Sequence, residues 1–265
     1  MTSSDLPIPP LEMREAVGPT DPAAFDNPDG QPVFPALPER VYDSVFDFGC
    51  GCGRLARQMI QQQPRPRAYM GVDLNRPLVE WCRENLSPRA PGFEFGHHDV
   101  NYPGIWNPGE DKPDVAPFPV EDGSRTLVIA WSVFTHILEA HAEYYLREAA
   151  RVLAPEGVFY STWFLFDKRL FPMMQDFQNT LYINDQNPTN AVIFDRDWLV
   201  AAAQRNGLTI TAAEPPQVRG FQWQIAMMAA ESGAEAVDLP PDEAPISTEG
   251  VRAPAAEPDL SQGQD

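Results

Sequence analysis

The chain has 265 residues, enough for one large α/β domain with extensions or two small domains, so a lone peptide or coiled coil is excluded. Its 19 Lys and Arg against 38 Asp and Glu give a formal net charge of -19, which repels phosphate backbones and anionic lipid surfaces; neither nucleic acid nor membrane is an expected partner. No run approaches the roughly 18 to 20 apolar residues of a membrane span, and the opening MTSSDLPIPP lacks the features of a signal peptide, so a cytoplasmic protein is expected.

Nine of the 29 prolines fall in residues 1–38, which read as a Pro-rich arm outside the core. Its apolar members Leu11, Met13, Phe25, Val33 and Phe34 make it a candidate partial lid. From residue 39 to 230, β-rich runs alternate with helical periods, as in a mostly parallel sheet covered by helices on both faces. Seven strands are expected: Val45 to Phe48, Ala68 to Val72, Phe93 to Phe95, Leu127 to Trp131, Val158 to Trp163, Leu208 to Ala212 and Gln222 to Met228. Asn75 caps a helix that carries Pro77 in its first turn, and Asp195 and Gly207 bracket another around Trp198. The clearest helix spans His141 to Leu153, where Ala142, Tyr145, Leu146, Ala149, Val152 and Leu153 form one apolar stripe. The acidic, Pro-rich stretch from Asn101 to Asp122 reads as a solvated loop. Residues 231–265 hold nine acidic side chains and only Arg252 as a base, the composition of a disordered tail. Cys50, Cys52 and Cys82 are too few for a disulfide framework and lack zinc-site spacing, so they read as reduced thiols and no metal is expected.

The most informative stretch is Ser44-Val45-Phe46-Asp47-Phe48-Gly49-Cys50-Gly51-Cys52-Gly53-Arg54-Leu55, a β run that turns through three alternate glycines into a helix. Glycine permits positive φ and close ligand approach, and a helix start favours a carboxylate or phosphate. A dinucleotide site expects G-x-G-x-x-G, but counting from Gly49 its third position is Arg54, so that reading fails. The pattern Asp47-x-Gly49-x-Gly51-x-Gly53 instead resembles motif I of class I S-adenosylmethionine-dependent methyltransferases. Further matches follow in that family's order. Asp73 ends Tyr69-Met70-Gly71-Val72-Asp73, Asp99 follows Phe95-Gly96-His97-His98, and Leu127 to Ala130 leads into Trp131-Ser132-Val133-Phe134-Thr135-His136, similar to the SVFTH segment of bacterial members. Arg151-Val152-Leu153-Ala154-Pro155-Glu156-Gly157 departs from the family's R-V-L-x-P-G-G only where Glu156 replaces a glycine.

The resemblance implies a Rossmann-like seven-stranded sheet ordered 3-2-1-4-5-7-6, with the last strand antiparallel, and S-adenosyl-L-methionine as cofactor. By the same resemblance Gly49, Gly51 and Gly53 hold its methionine end with Asp47 nearby, Asp73 accepts the ribose hydroxyls and Asp99 meets the adenine amine. Leu74 and Val100 flank those carboxylates, and Trp131 and Ser132 contact the methionine part. His136, where the family's substrates arrive, is the candidate base, with helix capping or packing as its other reading. The aromatic stretch from Phe164 to Phe194 is a candidate substrate lid, or equally a pair of helices packed on the core. The expected activity is O- or N-methylation of a small-molecule acceptor, such as a secondary metabolite or sugar. The alternative is a catalytically silent adenosyl-binding or interaction module. Oligomeric state is left open.

Overall fold

A computed structural model describes residues 6–102 and 111–245. Its sheet grows from the alternation read in the sequence, because side chains on a strand point to opposite faces with a period of two. In β1 (Ser44–Phe48), Val45 joins one hydrophobic cluster while Phe46 and Phe48 join the other. In β4 (Arg125–Ala130), Leu127 and Ile129 face the first cluster, Val128 and Ala130 the second. Both faces are therefore apolar and both need cover. Helices α2 (Arg54–Gln61) and α3 (Arg76–Asn85) cover the first through Leu55, Met59, Val79 and Cys82. Helices α4 (Glu139–Val152) and α5 (Arg196–Arg205) cover the second through Leu146, Ala149, Leu199 and Ala202.

All seven expected strands form. β2 (Ala68–Asp73) and β3 (Phe93–His97) lie on one side of β1, β4 on the other, and β5 (Leu153–Phe166) beyond it, all parallel. β9 (Trp223–Ala229) runs antiparallel to β5 and carries β8 (Leu208–Glu214) on its outer edge. The path β3-β2-β1-β4-β5-β9-β8 reproduces the expected order. Helix starts are equally local: the side chain of Asn75 accepts from Leu78 N–H at 3.4 Å, and that of Asp195 from Trp198 N–H at 3.1 Å.

Three expectations need correction. The aromatic stretch 164–194 is not a pair of α-helices: β5 runs on to Phe166, pairs in parallel with β7 (Val192–Asp195), and β7 pairs antiparallel with β6 (Thr180–Tyr182). Val192 and Phe194 are buried, whereas Leu170, Met173, Phe177 and Ile183 are largely exposed. The Pro-rich arm belongs to the core, with Leu6, Phe25, Phe34 and Leu37 buried. It wraps over the glycine-loop end through a short helix, α1 (Leu11–Ala16). Part of the acidic segment is also held, since Val237 N–H donates to Ile210 and the guanidinium of Arg196 donates to the carbonyls of Leu239 and Pro240. The remainder of that expectation, residues 246–265, lies outside the described residues. Among the described residues no helix is long and apolar enough to cross a membrane.

Arg57, on α2, fixes the arm. Its guanidinium is 1% exposed and donates to the carbonyls of Leu6 (3.0 Å), Pro7 (3.1 Å) and Phe25 (2.8 Å) while pairing with Asp26. An arm rich in proline has few N–H groups and so cannot join a sheet, but its carbonyls remain to be satisfied. One buried arginine supplies donors for three of them. Replacing Arg57 by Ala removes the donor from these carbonyls, leaves Asp26 with Gln61 Nε2 (2.9 Å) in place of its ion pair, and is expected to cost about 3 kcal/mol. Chemical denaturation checks that loss, and limited proteolysis is expected to cut faster within residues 6–38.

Candidate functional site

Strand ends position the site. At the end of β1 the chain turns through Gly49 (φ +83°), Gly51 (φ +53°) and Gly53 (φ +78°), left-handed conformations that favour glycine. A Cβ at Gly49 would lie 2.4 Å from Val133 Cγ2, and one at Gly51 would lie 2.6 Å from Val17 Cγ1 on the arm. At Gly53 the obstruction comes from α3, with Leu86 Cδ1 at 2.6 Å and Cys82 Sγ at 2.9 Å. The first two glycines thus line a cavity, while the third permits close helix packing. At the end of β2, Asp73 fixes the loop: one carboxylate oxygen accepts from Gly51 N–H and the other from Asn75 N–H, both at 2.8 Å.

The cavity has a volume of about 500 Å³ and is lined by Gly49, Gly51, Asp73, Leu74, Val100, Trp131, Ser132 and His136 together with residues missed in the sequence. Eight candidate residues therefore meet in one place. Trp131 stacks on Phe34 of the arm at a ring distance of 5.2 Å. Ser132 is a non-glycine residue held at φ +62°, where its N–H donates to Thr162 Oγ1 (2.7 Å) and its hydroxyl accepts from Gln222 Nε2 (2.8 Å). Such backbone strain persists only when surrounding bonds enforce it.

His136 is the most constrained of the lining side chains. Its Nδ1 lies 3.0 Å from the carbonyl oxygen of Thr189. A carbonyl only accepts, so Nδ1–H donates, and in the neutral ring the lone pair is then on Nε2. Tyr102 bridges the same two residues, its hydroxyl lying 3.2 Å from the His136 carbonyl and 3.4 Å from that of Thr189. The 164–194 segment therefore reaches the cavity by orienting an imidazole, and none of its aromatic side chains is in the lining.

Gly53, Asp47 and Asp99 stand outside the lining. Asp99 is paired with Lys112 at 2.9 Å, with half its side chain exposed. Its neighbours His98 and Val100 face inward; burial drives the His98 pKa down to about 4, and its Nε2 lies 2.8 Å from the Tyr145 hydroxyl. Asp47 lies beneath the glycine loop, accepts from the Tyr69 hydroxyl, and has its other carboxylate oxygen buried without a partner. Sequence reasoning missed Glu15 to Gly18 on the arm, and Asn101, Tyr102 and Asp114 in the stretch read as a solvated loop. Polar residues directly after a strand end were the available signal. A larger cleft, about 950 Å³, lies at the opposite sheet edge beside Arg65, Arg67 and Arg89, away from the glycine loop. Among the described residues no group of three or more His, Cys, Asp or Glu is placed to hold a metal ion.

Residues 45–157 match the family model for a methyltransferase domain. The matched segment runs from β1 to the turn inside β5 and contains the glycine loop, Asp73 and His136. The cofactor that the resemblance of the glycine loop implies is S-adenosylmethionine. The residues fit that group: Gly49 and Gly51 bring bare backbone to the cavity, with Val133 and Val17 packed 2.4 and 2.6 Å from where a Cβ would lie, beside a carboxylate with two bonds already made and further lone pairs available. Solved structures similar in part include a protein of Pyrococcus horikoshii (19% identity, 70% of this chain and 81% of that one, TM-score 0.47). Two more are S-adenosylmethionine-dependent methyltransferases, from Methanosarcina mazei (17%, 71% and 92%, 0.46) and Mesorhizobium loti (15%, 72% and 93%, 0.48). At those scores the fold assignment rests on the chain's own strand order.

Beneath the glycine loop, Asp47 links the site to stability. Burial raises its pKa to about 7, against lowering by the Tyr69 hydrogen bond and the nearby Arg54 charge. Its folded value lies above the usual range, so the folded chain holds the proton longer and this contribution is present below about pH 4 and lost as pH rises to about 7. The difference in unfolding free energy between the wild type and Asp47→Asn, measured by denaturant titration, is expected to slope downward across that window and be flat above it.

Proposed function

We propose that the chain transfers a methyl group from S-adenosylmethionine to a small-molecule acceptor. The observation that carries this reading is the convergence of the glycine cradle, Asp73 and a tautomerically fixed His136 on one cavity. Bound there, the cofactor supplies a methyl carbon made electrophilic by its sulfonium centre. Gly49, Gly51 and Asp73 hold it, with Leu74, Val100, Trp131 and Ser132 as flanking walls. Methyl transfer to a hydroxyl or protonated amine also requires the acceptor to lose a proton, and His136 Nε2 is the group that accepts it. The Thr189 carbonyl orients that imidazole, and Tyr102 ties the His136 and Thr189 backbones together. The walls contributed by Val17 on the arm and by Trp131 exclude water from the reacting atoms. The charge of -19 supports a small neutral or cationic acceptor over a nucleic acid.

Calorimetric titration with S-adenosylhomocysteine, beside NADH as a control, tests cofactor binding. Saturable binding of the first alone is expected, weakened at least about tenfold in Asp73→Ala, which removes hydrogen bonds to a charged group. Absence of that binding in a folded sample would overturn the reading.

His136 is tested separately. Nitrogen NMR is expected to show the neutral ring as the Nδ1–H tautomer. With an acceptor found by labelled-methyl screening, His136→Ala is expected to lower kcat by about a hundredfold or more while leaving S-adenosylhomocysteine affinity intact. Unchanged turnover would remove His136 from proton transfer. Cofactor binding without turnover on any acceptor would favour the silent adenosyl-binding module.

A further inference from the structure

Apart from the imidazoles of His98, His136 and His141, the titratable lining of the cavity leans to one sign. It contains the carboxylates of Glu15, Asp73 and Asp114, from three separate elements, and among its described residues no Lys or Arg. That is not the pattern of every concavity in the chain, since the larger cleft is bordered by Arg65, Arg67 and Arg89. Asp73 is engaged with the glycine loop. Asp114 lies elsewhere, on the stretch after β3, where Asn101 Nδ2 donates to one of its oxygens at 3.0 Å. Glu15 reaches the rim from the arm, and both Glu15 and Asp114 are exposed to solvent there. The same lining holds the rings of Tyr102 and Trp131, whose faces attract cations, and His136, whose Nε2 can only accept a hydrogen bond.

We infer that the acceptor carries a protonated amine, bound between Asp114 and the lone pair of His136. This deepens the methyltransferase reading and rests on it for the word acceptor, while the cation preference rests on the lining alone. An ammonium group offers several N–H donors to a wall made of carboxylate, imidazole lone pair and aromatic face. A carboxylate or phosphate in the same place meets like charge and finds no guanidinium or ammonium partner among the described lining residues. A neutral alcohol satisfies the imidazole but gains nothing from Asp114.

Three probes of matched size separate these cases: phenethylamine, phenethyl alcohol and phenylacetate, each titrated by calorimetry into the full chain with saturating S-adenosylhomocysteine and again without it. Phenethylamine is expected to bind at least about threefold tighter than the alcohol, in line with exposed ion pairs, and phenylacetate more weakly than either. The advantage is expected to shrink as salt rises and to vanish in a Glu15→Gln, Asp114→Asn double variant whose affinity for the alcohol is unchanged. The two positions are exposed, so the variant's fold is checked by circular dichroism and by its retained S-adenosylhomocysteine affinity. Equal binding of the three probes, tighter binding of phenylacetate, an amine preference that survives the double substitution, or no amine binding at millimolar concentration would each overturn the inference. Amine preference in a chain that does not bind S-adenosylhomocysteine would overturn the methyltransferase reading and leave the cation site standing.

Discussion

Taking a guanidinium out of water costs several kcal/mol, and Arg57 is removed from it almost completely. That cost is met because its nitrogens find the carbonyls of Leu6, Pro7 and Phe25 and the carboxylate of Asp26. Arg57 sits one turn into the helix that begins at the glycine loop, so the bonds that hold the arm also tie it to the cofactor end of the sheet. Val17 then comes to lie where a Gly51 Cβ would be, and Phe34 comes to stack on Trp131. The cavity consequently has a wall on the arm side. Without the clasp, a segment with nine prolines has no sheet or long helix to hold it, and the glycine loop would face solvent.

The loop itself depends on a second buried charge arrangement. Asp73 uses both carboxylate oxygens on backbone N–H groups of the two turns that meet at the strand ends, Gly51 after β1 and Asn75 before α3. Those bonds favour its charged form while burial opposes it, and burial prevails in direction. A ligand that donates to the remaining lone pairs would favour the charged form further. Asp47 below, with one orphaned oxygen and a raised pKa, is the less satisfied of the two. The pair places strain at the point where the backbone must be most exact, the pattern expected where local structure serves a ligand more than it serves stability.

What could be read from the sequence was whatever is decided locally. Strand alternation around Val45 to Phe48 and Leu127 to Ala130, the caps Asn75 and Asp195, and the triple-glycine turn each depend on a few neighbouring residues, and each has its expected place in the fold. The eight lining residues found in advance sit at or next to strand ends for the same reason. The failures are all tertiary. Proline density in residues 1–38 correctly signals the absence of sheet and long helix, but it gives no sign that Arg57, far along the chain, will bury those carbonyls. The stretch from Phe164 to Phe194 reads as a lid or equally as a packed helix pair, because an apolar run does not say whether it covers a ligand, packs as helices or extends a sheet. Asp99 looked like a ligand by position, and only the fold brings Lys112 within 2.9 Å of it.

The segment from 164 to 194 shows how a misread element can still reach the chemistry. Its strands extend β5 and bring Pro188–Asn190 back over the end of β4. At that point one carbonyl, that of Thr189, decides which imidazole nitrogen of His136 bears the proton. No side-chain pattern announces such a contact, because a backbone carbonyl is available at every residue and only the path of the chain selects this one. Tyr102 adds a hydroxyl between the same two backbones, so the main chain on either side of that contact is tied to the loop after β3 as well. An imidazole positioned by a main-chain atom tolerates wide variation in the residue that carries it. The insertion can therefore change its surface, including the exposed Leu170, Met173 and Phe177, while the lone pair on His136 stays in place.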